Sequence, residues 1–84
     1  MEQDNTFKTS DTSLAAFLIT SQFALLYIDY STVRFEFVFP DSSAIKKTAT
    51  DYVSGNARTE PSSFIRVSRK LLRLIRKQCQ WEED

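Results

Sequence analysis

The sequence predicts an α+β fold, in which a small antiparallel sheet of two to three strands packs with three helices in the order β-α-β-β-α-α. Two neighbouring segments have strand character with only two polar residues between them, and three other segments carry helix-capping residues. Of the 84 residues, 42% are apolar and 13% aromatic, with a single glycine, which is typical of a packed globular unit. We expect one domain over 1–84, with flexible tails at 1–5 and 81–84.

The first strand and the first helix follow each other closely. Thr6–Thr9 favours a short strand centred on Phe7. The residues SDTS that follow supply side-chain oxygens able to cap a helix, and LAAFLIT continues with good helix formers. Because this helix is apolar on nearly every side, we expect it to be buried.

The next two segments predict an antiparallel hairpin. FALLYIDY, residues 23–30, is rich in strand-forming residues, and residues 33–39 alternate strictly. Ser31 and Thr32 leave room only for a tight reversal, so the two strands must be antiparallel. The alternation predicts a half-exposed strand, with Val33, Phe35, Phe37 and Phe39 on one side and Arg34, Glu36 and Val38 on the other.

Two further helices complete the predicted fold. Asp41 or Ser42 can cap the second helix, and Gly55 lies where a left-handed residue often ends one. Pro61 suits the first turn of a third helix, which we expect to cover approximately residues 62–80.

The third helix separates its charges from its apolar side chains. Residues 64–79 hold six cations and no acid, although the whole chain has 11 Lys plus Arg and 11 Asp plus Glu. At ~100° per residue, the cations fall within an arc of about 120°. We call these six residues the basic stripe: Arg66, Arg69, Lys70, Arg73, Arg76 and Lys77. The remaining arc is predicted to face the core and holds Phe64, Ile65, Val67, Leu71, Leu72, Leu74, Ile75 and Cys79.

Several interpretations of the basic stripe are open. Most charge runs are solvated surfaces, but the like-charged i,i+3 and i,i+4 pairs here cost ~1–3 kcal/mol together, which favours an anionic partner. Nucleic-acid phosphates are one such partner. An acidic protein surface is another, in the same chain, in a second copy forming a homodimer, or on a protein bound by an interaction module or inhibitor. A membrane-surface helix is disfavoured, because so small a chain needs its apolar residues for a core.

The composition excludes several chemistries. The chain has no histidine, which removes the commonest general base and the usual zinc ligand. The lone Cys79 permits no intramolecular disulfide and is interpreted as a small buried apolar residue. The N-terminus lacks a secretory signal, and the apolar span 14–28 is shorter than the ~20 residues of a membrane-crossing helix. We therefore expect a cytoplasmic, non-enzymatic protein that needs no cofactor and does not cross a membrane.

Two other candidate sites are weaker. Residues 34–39 resemble the aromatic strand on which RNA-recognition modules stack bases, but the glycines of that signature are missing and the rings favour a core. Asp29 and Glu36 could approach each other across the hairpin as a catalytic carboxylate pair, although no base or third ligand accompanies them. Tyr27 and Tyr30 could lie at a sheet edge with exposed hydroxyls, although half-buried strand tyrosines are also ordinary.

Several motifs over residues 7–75 carry a family resemblance. They are FKTSDTSLAAFLITSQFALLYIDYS, RFEFVF, DYVSG and FIRVSRKLLRLI. They resemble a small family of bacterial and phage-borne domains of unknown function, and the matching positions are Asp11, Leu14, Ala15, Ala16, Phe17, Leu18, Ile28 and Asp29. The family pattern has a glycine where this chain has Gln22. The resemblance implies a phage or mobile-element setting, in which small proteins bind nucleic acid or other proteins, and it adds no site.

Overall fold

The structure, a computed structural model, describes residues 5–81 and has the predicted element order. The elements are β1 (Thr6–Thr9), α1 (Thr12–Thr20), β2 (Tyr27–Asp29), β3 (Glu36–Pro40), α2 (Ser43–Val53) and α3 (Pro61–Lys77). The three strands form one antiparallel sheet in the order β1-β3-β2. The predicted α+β fold is confirmed, and β1 joins the sheet. Of the expected flexible tails, residues 1–4 and 82–84 lie outside the described residues.

Each helix begins at a side-chain cap and ends before a left-handed residue. The caps are Asp11 for α1, Ser42 for α2 and Glu60 for α3. The left-handed residues are Gln22 (φ 78°), Gly55 (φ 85°) and Gln78 (φ 55°). Since the backbone N–H of Gln78 bonds to the carbonyl of Ile75 and that of Cys79 to Leu74, the chain leaves the helix here. The third helix is therefore shorter than expected and ends at Lys77.

The core lies between α1, the sheet and the other two helices. α1 is buried as predicted, because residues 14–18 are all at most 7% exposed. From the central strand, Phe37 and Phe39 join the same apolar cluster as Ile45 of α2 and Leu71 of α3. The buried arc of α3 faces α1, which leaves the rest of α3 toward solvent.

The hairpin is antiparallel as predicted, but its connection is longer. β2 has only three residues, and the loop between the paired residues Asp29 and Glu36 runs from residue 30 to 35. β2 begins later than predicted because Phe23 is still bonded to the end of α1. Its backbone N–H donates to the carbonyl of Leu18 at 3.0 Å. Asp29 shapes the loop, because its carboxylate accepts bonds from the backbone N–H and hydroxyl of Ser31, at 2.9 and 2.6 Å.

The prediction of a half-exposed β3 is wrong at Val38. This side chain is fully buried, as are Phe37 and Phe39 on the opposite side. Since β3 is the central strand, Val38 lies in register between Lys8 of β1 and Tyr27 of β2, whose side chains flank it on the same face. Alternation alone does not reveal this cover, which comes from the neighbouring strands.

Candidate functional site: a basic stripe on the third helix

The helix α3 brings all six residues of the basic stripe together. Five of them are exposed, and Lys70 is half-buried. On the opposite side of the helix, Val67 and Leu71 are buried in the core. No acidic residue lies within the helix, and Glu60 is its N-cap. The sequence periodicity therefore located this surface correctly.

The described carboxylates do not neutralise the five exposed cations of the basic stripe. Two ion pairs between described residues involve α2, where Lys46 is 3.4 Å from Asp41, which precedes the helix, and Lys47 is 3.4 Å from Asp51. Across residues 5–81, no ion pair involves an exposed member of the stripe. Their like-charge repulsion consequently has no compensating partner among the described residues.

Other described carboxylates are engaged in local contacts away from the stripe. Glu60 accepts bonds from the backbone N–H groups of Ser63 at 2.7 Å and Ser62 at 3.2 Å, which lower the pKa of its carboxyl. The hydroxyl and backbone N–H of Ser31 likewise lower the pKa of Asp29. Both carboxylates thus stay ionised at neutral pH and accept hydrogen bonds from nearby backbone N–H groups.

The charge of the chain is strongly separated in space. The helix α3 holds six of the 11 Lys and Arg residues and none of the 11 Asp and Glu residues. It therefore carries six positive charges, and the rest of the chain carries an excess of six negative charges. Although the formal net charge of the chain is zero, the surface of this helix is positive and attracts anions locally.

Two apolar residues border the basic stripe, contrary to the sequence prediction. Ile65 and Leu72 were expected to face the core, but they are 48% and 52% exposed. Cys79 was also expected to be buried, and it is exposed. The core covers a narrower arc of α3 than the apolar residues occupy, so the solvent-facing surface combines cations with an apolar margin.

Two open grooves run along the basic stripe and share Arg66 and Arg73 as common walls. The wider one, of about 550 Å³, is completed by Ser62, Ile65 and Arg69. The narrower one, of about 320 Å³, is completed by Val67, Lys70 and Trp81. In these grooves an anionic group can fit between guanidinium groups of the basic stripe.

The segment after α3, residues 78–81, is fixed by contacts that the sequence did not indicate. The side-chain amide of Gln80 accepts a bond from the N–H of Ile28 at 2.7 Å and donates one to its carbonyl at 2.8 Å, so it covers this part of the β2 edge. The hydroxyl of Tyr30 donates to the carbonyls of Leu74 and Cys79. Of the two alternatives left open by the sequence, Tyr30 is half-buried and Tyr27 is exposed. The segment places Trp81 against the core cluster, with the Lys70 ammonium 4.2 Å from its ring centroid.

The weaker candidate sites do not assemble. Phe37 and Phe39 are fully buried, so their rings cannot stack on a base. Asp29 and Glu36 do face each other in the sheet register, but the Asp29 carboxylate is held by Ser31. Within the described part of the chain, no group of three or more His, Cys, Asp or Glu side chains could hold a metal ion. None of the helices there has the length and apolar character needed to span a bilayer.

Comparison with known proteins identifies a family. A family model described as a domain of unknown function, DUF5659, matches residues 4–77, which span β1 through the end of α3. No curated protein and no solved structure matches the chain significantly. The matched range includes every residue of the basic stripe and both strands of the hairpin. The chain belongs to the DUF5659 family.

Proposed function

We propose that this chain is a small, non-enzymatic accessory protein whose basic stripe binds the phosphates of nucleic acid. The observation that supports this most strongly is the set of five exposed cations on one helix face, none of them ion-paired within the described residues. Clustered Lys and Arg on one helix form the usual electrostatic footprint of such proteins. Since phosphates carry no sequence information, contacts of this kind bind the backbone without reading bases.

The dimensions of the basic stripe suit a nucleic-acid backbone. From Arg66 to Lys77 the helix rises about 16 Å, at ~1.5 Å per residue. One strand of a duplex presents a phosphate every ~3.4 Å along its axis, so this length spans about five phosphates. Four of the five exposed cations are arginines, whose planar guanidinium can bond two phosphate oxygens at once. The number of exposed cations thus matches the number of phosphates within reach.

An acidic protein surface is the second candidate partner, and the exposed Ile65 and Leu72 favour it. An apolar margin beside charged residues is common in protein interfaces. In this alternative the chain is an interaction module or inhibitor from a phage or mobile element. A homodimer formed through the β2 edge would have to displace Gln80 from Ile28. A cytoplasmic location is part of both proposals, and the lone, unpaired Cys79 is consistent with it.

Charge reversal on and off the stripe tests the proposal. The variant Arg69→Glu/Arg73→Glu should weaken binding of a labelled duplex or single strand at low salt by about tenfold or more, because two phosphate contacts become repulsive. The matched control is Arg34→Glu/Arg58→Glu, which changes the net charge equally at two exposed loop arginines. Fluorescence anisotropy measures the affinities. Flat titrations of the wild type with both forms of nucleic acid, or equal losses in the two variants, would overturn the proposal.

A further inference from the structure

The narrower groove along the basic stripe combines two kinds of wall. Arg66, Lys70 and Arg73 supply positive charge, and Val67 with the Trp81 ring supplies an apolar surface. Its volume of about 320 Å³ is that of a small ligand site. A groove with a flat aromatic wall and several cations suits a ligand that has a planar apolar ring and an anionic group close together.

The aromatic wall of this groove is held in place. Gln80, the residue before Trp81, is bonded to both backbone groups of Ile28, and the Tyr30 hydroxyl is bonded to the carbonyl of Cys79 at 2.7 Å. Trp81 is only half-buried, although it packs against the core cluster. The ring is therefore fixed by the chain before it, and part of its surface still faces the groove.

Closure of the core alone does not account for the surroundings of Trp81. Besides the core cluster on which it packs, the indole is bordered by three cations of the basic stripe. The ammonium of Lys70 lies 4.2 Å from the ring centroid. Stacking of a base on an aromatic side chain is of the same order as a cation–π contact or stronger.

We propose that this groove holds one unpaired nucleotide, with its base stacked on Trp81 and its phosphate between Arg66 and Arg73. In this arrangement the base takes the place of the Lys70 ammonium over the ring. The bases of a duplex are already stacked on each other and cannot reach the groove without being unpaired. The chain therefore prefers single-stranded nucleic acid. This inference rests on the proposed function and names the form of nucleic acid that the chain binds more tightly.

The fluorescence of Trp81 provides a direct test, because it is the only tryptophan in the chain. The probes are an oligothymidine, an abasic strand of equal length that keeps the phosphates, and a duplex. Stacking predicts that the oligothymidine quenches the emission and that the abasic strand and the duplex do not. The oligothymidine should also bind more tightly than the abasic strand by about 5- to 150-fold, the usual worth of one stacked base.

Variants of Trp81 supply a second measurement, read by anisotropy of labelled strands. Trp81→Ala should lose most of the preference for the oligothymidine over the abasic strand, and Trp81→Phe should keep much of it because it retains a ring. Another outcome is that the wild type binds the abasic strand and the oligothymidine equally while Arg69→Glu/Arg73→Glu weakens the binding of both. That result would contradict the nucleotide site in the groove and would leave the proposed phosphate-binding function standing. If the wild type binds none of the three probes at low salt, both proposals are wrong.

Discussion

Replacement of Gln80 by alanine should destabilise the fold, although Gln80 is an exposed residue near the chain end. Its amide forms two hydrogen bonds to Ile28, of 2.7 and 2.8 Å, at the outer edge of β2. A typical hydrogen bond contributes ~0.5–1.5 kcal/mol net. Because the two bonds are only partly buried and water can partly replace the amide, we expect a loss of about 1–2 kcal/mol in the free energy of unfolding. For a chain of this size that lowers Tm by about 4–16 °C.

Urea denaturation followed by circular dichroism measures this loss. Gln80→Glu is a second variant, which tests the two hydrogen bonds separately. A carboxylate can still accept from the Ile28 N–H, but it repels the Ile28 carbonyl where the amide donated. Protonation restores a donor, so the new carboxyl has a raised pKa in the folded state. Its destabilising effect should be complete above that pKa and should shrink as the pH falls through it. A Gln80→Ala variant within about 0.3 kcal/mol of the wild type would show that the two bonds to Ile28 do not stabilise the fold.

Two further predictions concern the helix ends. Gln22→Gly should raise the free energy of unfolding by about 0.5–1 kcal/mol in the same urea assay, because Gln22 has the left-handed φ of 78° that glycine adopts without strain; a loss of stability would contradict this. Glu60 has a lowered pKa because Ser63 and Ser62 donate to its carboxylate, so its stabilising effect is present above its unfolded pKa and is lost as the pH falls through the folded pKa. Glu60→Gln should therefore flatten the acid side of the stability profile, and an unchanged profile would show that this cap does not titrate with folding.

The element order was predictable because its signals are local. Caps such as Asp11 and the helix-ending Gly55 act within a few residues, and a short connection forces two strands to be antiparallel. The length of β2 was not predictable. Phe23 and Leu25 have strand character, but they pack against the core from an irregular segment that follows the closure of α1. These two side chains pack against the core although their backbone is not part of a β-strand.

The candidate site was likewise predictable only in part. The basic stripe follows from the helical period, which depends only on spacing along the chain. The exposure of Ile65 and Leu72 depends on which arc of α3 is covered by α1, and spacing does not determine that. The contact between Gln80 and Ile28 joins residues 52 positions apart, with no local pattern to indicate it. The narrow groove beside Trp81 depends on this contact and was therefore not visible in the sequence.

The salt dependence of duplex binding tests the central claim most directly. If the five exposed cations of the basic stripe each neutralise one phosphate, the logarithm of the association constant should fall with the logarithm of the salt concentration with a slope of about −4.5. Arg69→Glu/Arg73→Glu should make that slope shallower by about 2, and Arg34→Glu/Arg58→Glu should leave it unchanged. A slope near zero, or one that the Arg69→Glu/Arg73→Glu variant does not alter, would contradict the assignment of the stripe as the phosphate-binding surface.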